Sequence, residues 1–337
     1  MKKILNGLCS FISSWTGTII IVLVLIFFVM QAFVIPTRSM VGTLFEGDFL
    51  FVKKFSYGIP TPRIPWLEVN VLPDFKGNGH LIDGERPKRG DVVVFIPPHI
   101  EKTYFVKRTF AVGGDEVIFD KDGLYLHPFE GDEYVREHYS SHIVVERLGK
   151  LFVKNPYIGK HPGIIYRSVF YKYPYGDSYF ADNEGKLYRK NCIEGKMSSN
   201  IGDMEENCEL WSRVYTDEPI ESFIEDTNIA YTMMKSGRTP TAMMKLEGDM
   251  YYLKIADDEF FMIGDNRNNS LDSRFWGSVP YKNIIGQPWF IYFSINKANS
   301  QEAGADEDKS KRYTIRWDRM FKGVDGLERS MREAIPK

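Results

Sequence analysis

The sequence predicts a mostly β protein: a single N-terminal transmembrane helix, then an antiparallel β domain split by an inserted, smaller β-rich domain. Three observations predict it. The 337-residue chain opens with an uncharged stretch from Ile4 to Thr37. Beyond it, short runs rich in Val, Ile, Phe and Tyr are punctuated by Gly, Pro and Asp turn signals, the pattern of strands. From about residue 119 to 255 the texture changes to tyrosines, two cysteines and acidic turns, with no repeat and no catalytic motif.

The apolar heart of the first stretch, Gly17 to Ile35, is long enough for one helix across a bilayer. A cleavable secretory leader fits it less well. The apolar region exceeds the usual signal core, continues through Phe33, Val34 and Ile35, and places Met30 where a small residue is wanted before a cut after Ala32. It is read as a permanent single-pass anchor. Lys2 and Lys3 keep residues 1–16 in the cytoplasm and send everything after Thr37 to the periplasmic or extracellular side of the cytoplasmic (inner) membrane. The net charge of −2 leaves no nucleic-acid footprint, and the 15% aromatic content suits strands and an interfacial surface. Cys9 lies on the cytoplasmic side, whereas Cys192 and Cys208 fall where disulfides persist. A bridge between those two would contribute about 3 kcal/mol in the chain-entropy model. Two unpaired thiols are the alternative, because spacing does not set Cα distances.

Past the anchor, Asp48–Lys54 reads as a strand, and Tyr57–Arg89 as a Pro- and Gly-rich loop or hairpin. Within it, Ile64-Pro65-Trp66-Leu67 suits a lipid interface and equally suits packing on the β domain. Asp91–Ile96 is a strand stopped by Pro97-Pro98, and Thr103–Val112 a third, ending at Gly113-Gly114-Asp115. Glu116–Ile118, Leu124–Leu126 and Phe260–Ile263 are shorter strands, and Gln287–Ile295 is a late one. A polar loop, Lys297–Ser310, leads to a final strand, Tyr313–Trp317, and a charged helical tail from Leu327. The split β domain therefore takes residues 36–118 and 256–320, the insertion 119–255 and the tail 321–337.

Three islands carry chemistry: Thr37-Arg38-Ser39-Met40, Tyr104-Phe105-Val106-Lys107-Arg108, and the run from Gly264 to Gly277. Singly, each has a plain explanation: a polar helix exit, a surface lysine on a strand, and a turn rich in Asp and Asn. The third island is not a calcium loop. Counting from Asp265, the third position is Arg267, the sixth Ser270 instead of Gly, and the twelfth Trp276 instead of Glu. A serine hydroxyl needs a base, and a lysine serves only when its amine is neutral. Burial lowers an ammonium pKa, and Lys107 sits among Phe105, Val106, Phe110 and Val112. All six histidines (His80, His99, His127, His138, His142 and His161) lie outside the islands, so nothing supports a Ser-His-Asp triad.

Together the islands resemble the bacterial type I signal peptidases (leader peptidases), membrane-anchored serine proteases with a Ser/Lys dyad. The resemblance covers the anchor and residues 33–58, 86–118 and 260–293. It rests on Gly47-Asp48 with Val52-Lys53-Lys54-Phe55-Ser56-Tyr57-Gly58, on Lys88-Arg89-Gly90-Asp91-Val92-Val93-Val94-Phe95, on Val106-Lys107-Arg108 with Gly113-Gly114-Asp115, and on the Gly264–Gly277 run. The resemblance implies an endopeptidase that removes signal peptides from exported preproteins at the membrane, with no cofactor and no metal. The secretion machinery is a further implied partner, nucleic acid is not. Ser39 would be the nucleophile and Lys107 the general base. Thr37 would join the Ser39 backbone N–H in the oxyanion hole, Ser270 would orient Lys107, and Asp272 and Arg274 would pair to hold the loop. Phe33, Ile35, Met40, Leu44, Phe105 and Val106 would supply shallow pockets for small side chains such as Ala; ordinary core packing, and lipid contact for Phe33, are the alternatives. The family usually has Pro where this chain has Gly42, which loosens the turn after the nucleophile. A relative with one dedicated substrate and a catalytically silent scaffold are the competing readings.

Overall fold

The computed structural model describes residues 10–37, 39–40, 43–64, 69–100, 102–120, 122–157, 160–161, 164, 178–181, 187–190, 212–214, 245–248, 250–267, 270–295 and 313–333. The Cys192–Cys208 bridge, the Gly42 turn, the Pro65-Trp66-Leu67 apex and the Lys297–Ser310 loop lie outside the described residues.

The helix Trp15–Val24 begins where the Ser14 hydroxyl accepts a 3.0 Å hydrogen bond from the Gly17 N–H, satisfying one of the orphan donors of the first turn. It continues as a π-helical turn, Leu25–Val29, and stops. These fifteen residues span roughly 22 Å, against a hydrocarbon core of about 30 Å. Among the described residues no helix is long and apolar enough to cross a membrane. The expected helix over 17–35 is thus shorter at its C-terminal end, because Met30–Val34 (β1) is a strand. It pairs antiparallel with Asp48–Lys53 (β2), Phe33 opposite Leu50. As an edge strand it is paired along one side by β2, and packing helps to hold it there: the Phe33 ring sits edge-on against Tyr104 at 4.9 Å.

The remaining strands follow in chain order. Gly58–Pro60 (β3) and His80–Asp83 (β4) form a small two-stranded sheet inside the Pro-rich loop. Val92–Phe95 (β5) and Phe105–Val112 (β6) are the central hairpin. Glu116–Asp120 (β7), Gly123–His127 (β8), Val144–Arg147 (β9) and Lys150–Lys154 (β10) come next, with a short helix, Asp132–His138, between β8 and β9. Ser178–Ala181 (β11), Leu187–Lys190 (β12) and Ser212–Val214 (β13) form a three-stranded sheet. Lys245–Glu247 (β14), Met250–Lys254 (β15), Glu259–Ile263 (β16), Val279–Pro280 (β17) and Ile284–Ser294 (β18) complete the set.

Two sheets hold most of the described strands. One has the order β1-β2-β18-β5-β6-β16-β17, the other β14-β15-β7-β8-β10-β9, and every pairing between named strands is antiparallel. β5 is covered on both faces, which is why it reads as an unbroken apolar run. Val93 and Phe95 enter one core with Phe110, Phe261, Phe275 and Trp276. Val92 and Val94 enter a second with Ile35, Met40, Leu44, Leu50 and Leu327.

After β18 the expected strand Tyr313–Trp317 does not form. Ile315 makes one isolated bridge to Ile295, and Trp317–Arg319 is a 3₁₀ turn. Arg316 explains the bend: its guanidinium donates to Ser294 Oγ, Glu46 O and Ile295 O at 2.8, 2.6 and 3.0 Å, drawing the chain inward. The tail helix begins earlier than expected, at Val324, and runs to Glu333.

Candidate active site

Lys107 and Ser39 are brought together from 68 residues apart, and a 2.5 Å hydrogen bond joins Lys107 Nζ to Ser39 Oγ. β6 fixes the lysine. Its neighbours in register are Val93 opposite and Phe105 two residues before, whose ring lies 5.4 Å from the amine. Lys107 is 4% exposed. Burial pulls its amine from 10.5 to about 8; Asp272 and Asp265 pull it back up, and Arg274 adds to the lowering. Desolvation is the larger effect because no carboxylate touches the amine. At neutral to mildly alkaline pH an appreciable share of this amine is unprotonated, the state a general base needs.

The nucleophile segment is held through its backbone. The Asn266 N–H donates to Ser39 O at 3.1 Å, and the Asp265 N–H reaches Met40 Sδ at 3.4 Å. Gly264 permits that approach: a Cβ there would lie 2.5 Å from Ser39 O and 2.2 Å from Ser270 Oγ. Thr43 Oγ1 donates to Asp265 Oδ2 at 2.5 Å, so the turn after the nucleophile is tied to the same loop. Arg108, next to Lys107 but on the opposite face of β6, donates to both oxygens of Asp265 at 2.7 Å. Its charge holds the Asp265 carboxyl below its usual range against the opposing effect of burial.

The remaining expected site residues fall as follows. Thr37 is exposed, with its hydroxyl 3.4 Å from Ser39 Oγ. Asp272 and Arg274 form a fully buried ion pair at 2.8 Å, and Arg274 also donates to Arg267 O at 2.6 Å. Asp272 accepts from the Gly264 N–H at 3.0 Å, so the pair clips the loop that carries Gly264. The Ser270 hydroxyl is buried and helps hold the Asp272 carboxyl down, but among the described residues it makes no hydrogen bond of ordinary geometry, to Lys107 or to any other group. Ile35, Met40 and Leu44 are 4%, 1% and 1% exposed, so they fill the core and offer a substrate almost no surface. Phe33 and Val106 are half-buried against that cluster, and Phe105 against the other. Of these three, Phe105 lies beside the dyad, its ring 5.4 Å from the Lys107 amine.

Comparison with known proteins decides the family. A family model described as signal peptidase, peptidase S26, matches residues 8–153 and 195–293. The chain belongs to the S26 signal peptidase family. Signal peptidase I of Helicobacter pylori strain 26695 is 50% identical over 335 residues, 98% of each chain, and that of strain J99 matches to the same extent. Signal peptidase I of Buchnera aphidicola from Acyrthosiphon pisum is 28% identical over 276 residues, 81% of this chain and 71% of its own.

Four functional neighbours went unassigned in the sequence: Thr43 and Asp265, which tie the nucleophile turn to its loop, and Arg319 and Glu328 from the tail. Arg319 donates to Thr43 O at 2.9 Å and to Asp48 Oδ2 at 2.7 Å, with its guanidinium 3.8 Å above the Phe45 ring. The signal for Asp265 was its place inside the third island. Arg319 and Glu328 gave none, since charged residues in a polar tail read as solvated.

Proposed function

We propose that the chain cleaves signal peptides from exported preproteins as a serine endopeptidase, with Ser39 as nucleophile and Lys107 as general base. The 2.5 Å contact between Lys107 Nζ and Ser39 Oγ in a water-poor site carries this reading, and membership in the S26 family supports it. Ser39 Oγ attacks the scissile carbonyl while Lys107 Nζ takes its proton. The ammonium then returns that proton to the leaving amine, and a water activated by the same lysine hydrolyses the acyl-enzyme. The Ser39 N–H with the Thr37 hydroxyl would receive the oxyanion, and Ser270 would steady the amine once substrate has displaced water. Phe33, Phe105 and Val106 border the cleft where small side chains before the cut would rest, the peptide adding alongside as an extended segment.

A membrane position would suit the same substrate. A single-pass location in the cytoplasmic membrane would set Ser39 at the bilayer surface, with the β sheets beyond it. The apolar residues of Trp15–Val24 that face outward, among them Ile19, Ile20, Val22 and Leu23, favour lipid around that helix.

The test is cleavage of a purified precursor with an Ala-x-Ala signal end, in lipid, by wild-type protein beside Ser39→Ala and Lys107→Ala. Cutting by the wild type alone is the expected result. Cutting by folded Lys107→Ala would remove the dyad, and no cutting by folded wild type on several precursors would favour a scaffold or one dedicated substrate.

A further inference from the structure

The tail helix Val324–Glu333 closes the back of the active site, and nothing in the cleavage chemistry above uses it. Two independent contacts bring it there. Leu327, 2% exposed, packs in the same apolar cluster as Met40 and Leu44, which flank the nucleophile turn. Glu328, beside it and 9% exposed, accepts a charged hydrogen bond from Arg108 Nη2 across 220 residues of chain. Arg108 is the residue after Lys107, and its other partner is Asp265, which neighbours the Gly264 and Asn266 contacts on Ser39.

The cluster is larger than one pair. His161 Nδ1 lies 3.0 Å from Arg108 Nη1 and 3.3 Å from Glu328 Oε2, and Arg108 Nη1 also donates to Gly90 O at 2.8 Å. Two carboxylates thus share one guanidinium, with an imidazole as third partner. A buried guanidinium with its donors engaged has little freedom to move. β6 carries Arg108 and Lys107 on consecutive residues, so fixing one fixes the peptide that aims the other.

We infer that Glu328 is a positioning residue for the dyad: through Arg108 it holds the Lys107 segment of β6 and the Asp265 loop in register with Ser39. This rests on the signal-peptide-cleaving reading above. Without Glu328, Arg108 turns wholly to Asp265 and the constraint on the loop changes. Turnover then falls while substrate binding is kept, since the side chains Glu328 touches, Arg108 and His161, are not among those proposed to border the cleft.

The experiment compares full-length wild type, Glu328→Ala and Glu328→Gln on the same precursor in lipid, measuring kcat, KM and the pH dependence of kcat/KM. Wild-type cleavage must be seen first; its failure would count against the proposed function and not against Glu328. Glu328→Ala is expected to lower kcat by about tenfold to a hundredfold with KM within about twofold. Glu328→Gln, which keeps an acceptor for Arg108, is expected to recover part of the loss. The charged groups acting on the Lys107 amine are Asp272, Asp265 and Arg274. With Asp265 more fully neutralised by Arg108, the acidic limb of the Glu328→Ala profile moves to lower pH. Wild-type kcat and an unmoved limb in Glu328→Ala would overturn the inference, even with a lowered Tm, and leave Glu328 as an anchor of the tail alone. Should Glu328→Ala fail to fold, Glu328→Gln decides by the same two readouts.

Discussion

Lys107 and Arg108 are adjacent, cationic and buried to 4% and 2% exposure, yet β6 sends them to opposite faces with opposite results. Lys107 looks into the Phe105 side of the sheet and touches a single neutral hydroxyl. Arg108 looks into the tail side and touches two carboxylates, which hold its charge against the cost of its own burial. Burial alone therefore does not set the chemistry of a buried cation. Its contacts decide whether desolvation frees a proton or demands a counter-ion.

Exchanging the character of the two cations is the hardest test of this contrast. Lys107→Arg keeps a positive charge but supplies a base that is never neutral, so cleavage should fall at least about 10⁴-fold, as it should in Ser39→Ala, while circular dichroism stays unchanged. Activity within tenfold of wild type would mean another base is at work.

Stability against pH sharpens the same point. The folded state lowers the Lys107 pKa from 10.5 to about 8, so between those values the unfolded chain binds the extra proton. Stability should then rise with pH across that window, by about 3 kcal/mol for this group at 1.36 kcal/mol per unit. Below pH 8 the amine is charged in both states and this contribution is absent. Denaturant titrations of wild type minus Lys107→Met isolate it, and a flat difference from pH 8 to 10.5 would contradict the depressed amine. The rate profile should show the matching rise with a midpoint near 8.

Gly264→Ala tests the loop that joins the two faces. The added methyl meets Ser39 O and Ser270 Oγ at separations that no real Cβ tolerates, so the nucleophile must shift, and kcat should fall about 100-fold with the fold retained. The smallest expected effect is Arg108→Lys. It keeps the charge and loses the planar fork to Asp265, lowering stability by about 2 kcal/mol on chemical denaturation, and with Asp265 less fully neutralised the pH limb of Lys107 moves to higher pH.

How far the chain could be read in advance differs from element to element. β2, β5, β6, β16 and β18 were visible as short apolar runs between turn residues, and Ser39 and Lys107 stood out because each lies in a compact motif. The end of the helix that begins at Trp15 was not visible. Ile21 to Ile35 is apolar but for Gln31, and such a run reads the same as buried helix or as strand; the pairing of β1 with β2 decides it. Ser270 was readable as a member of the third island, but not that its hydroxyl would be buried without a hydrogen bond to the amine. Ile35, Met40 and Leu44 were readable as apolar neighbours of the dyad, yet only packing shows that they are core.

The sequence by itself determined the fold class, the family and the residue types of the dyad, because these reside in local pattern and in motifs a few residues long. Tertiary structure alone decided the protonation of Lys107, the pairing of Arg108 with Asp265 across 157 residues and with Glu328 across 220, and the docking of the tail behind the site. The reason is that desolvation and ion pairing depend on what surrounds a side chain in space. Those surroundings come from segments whose spacing along the chain carries no trace of their meeting.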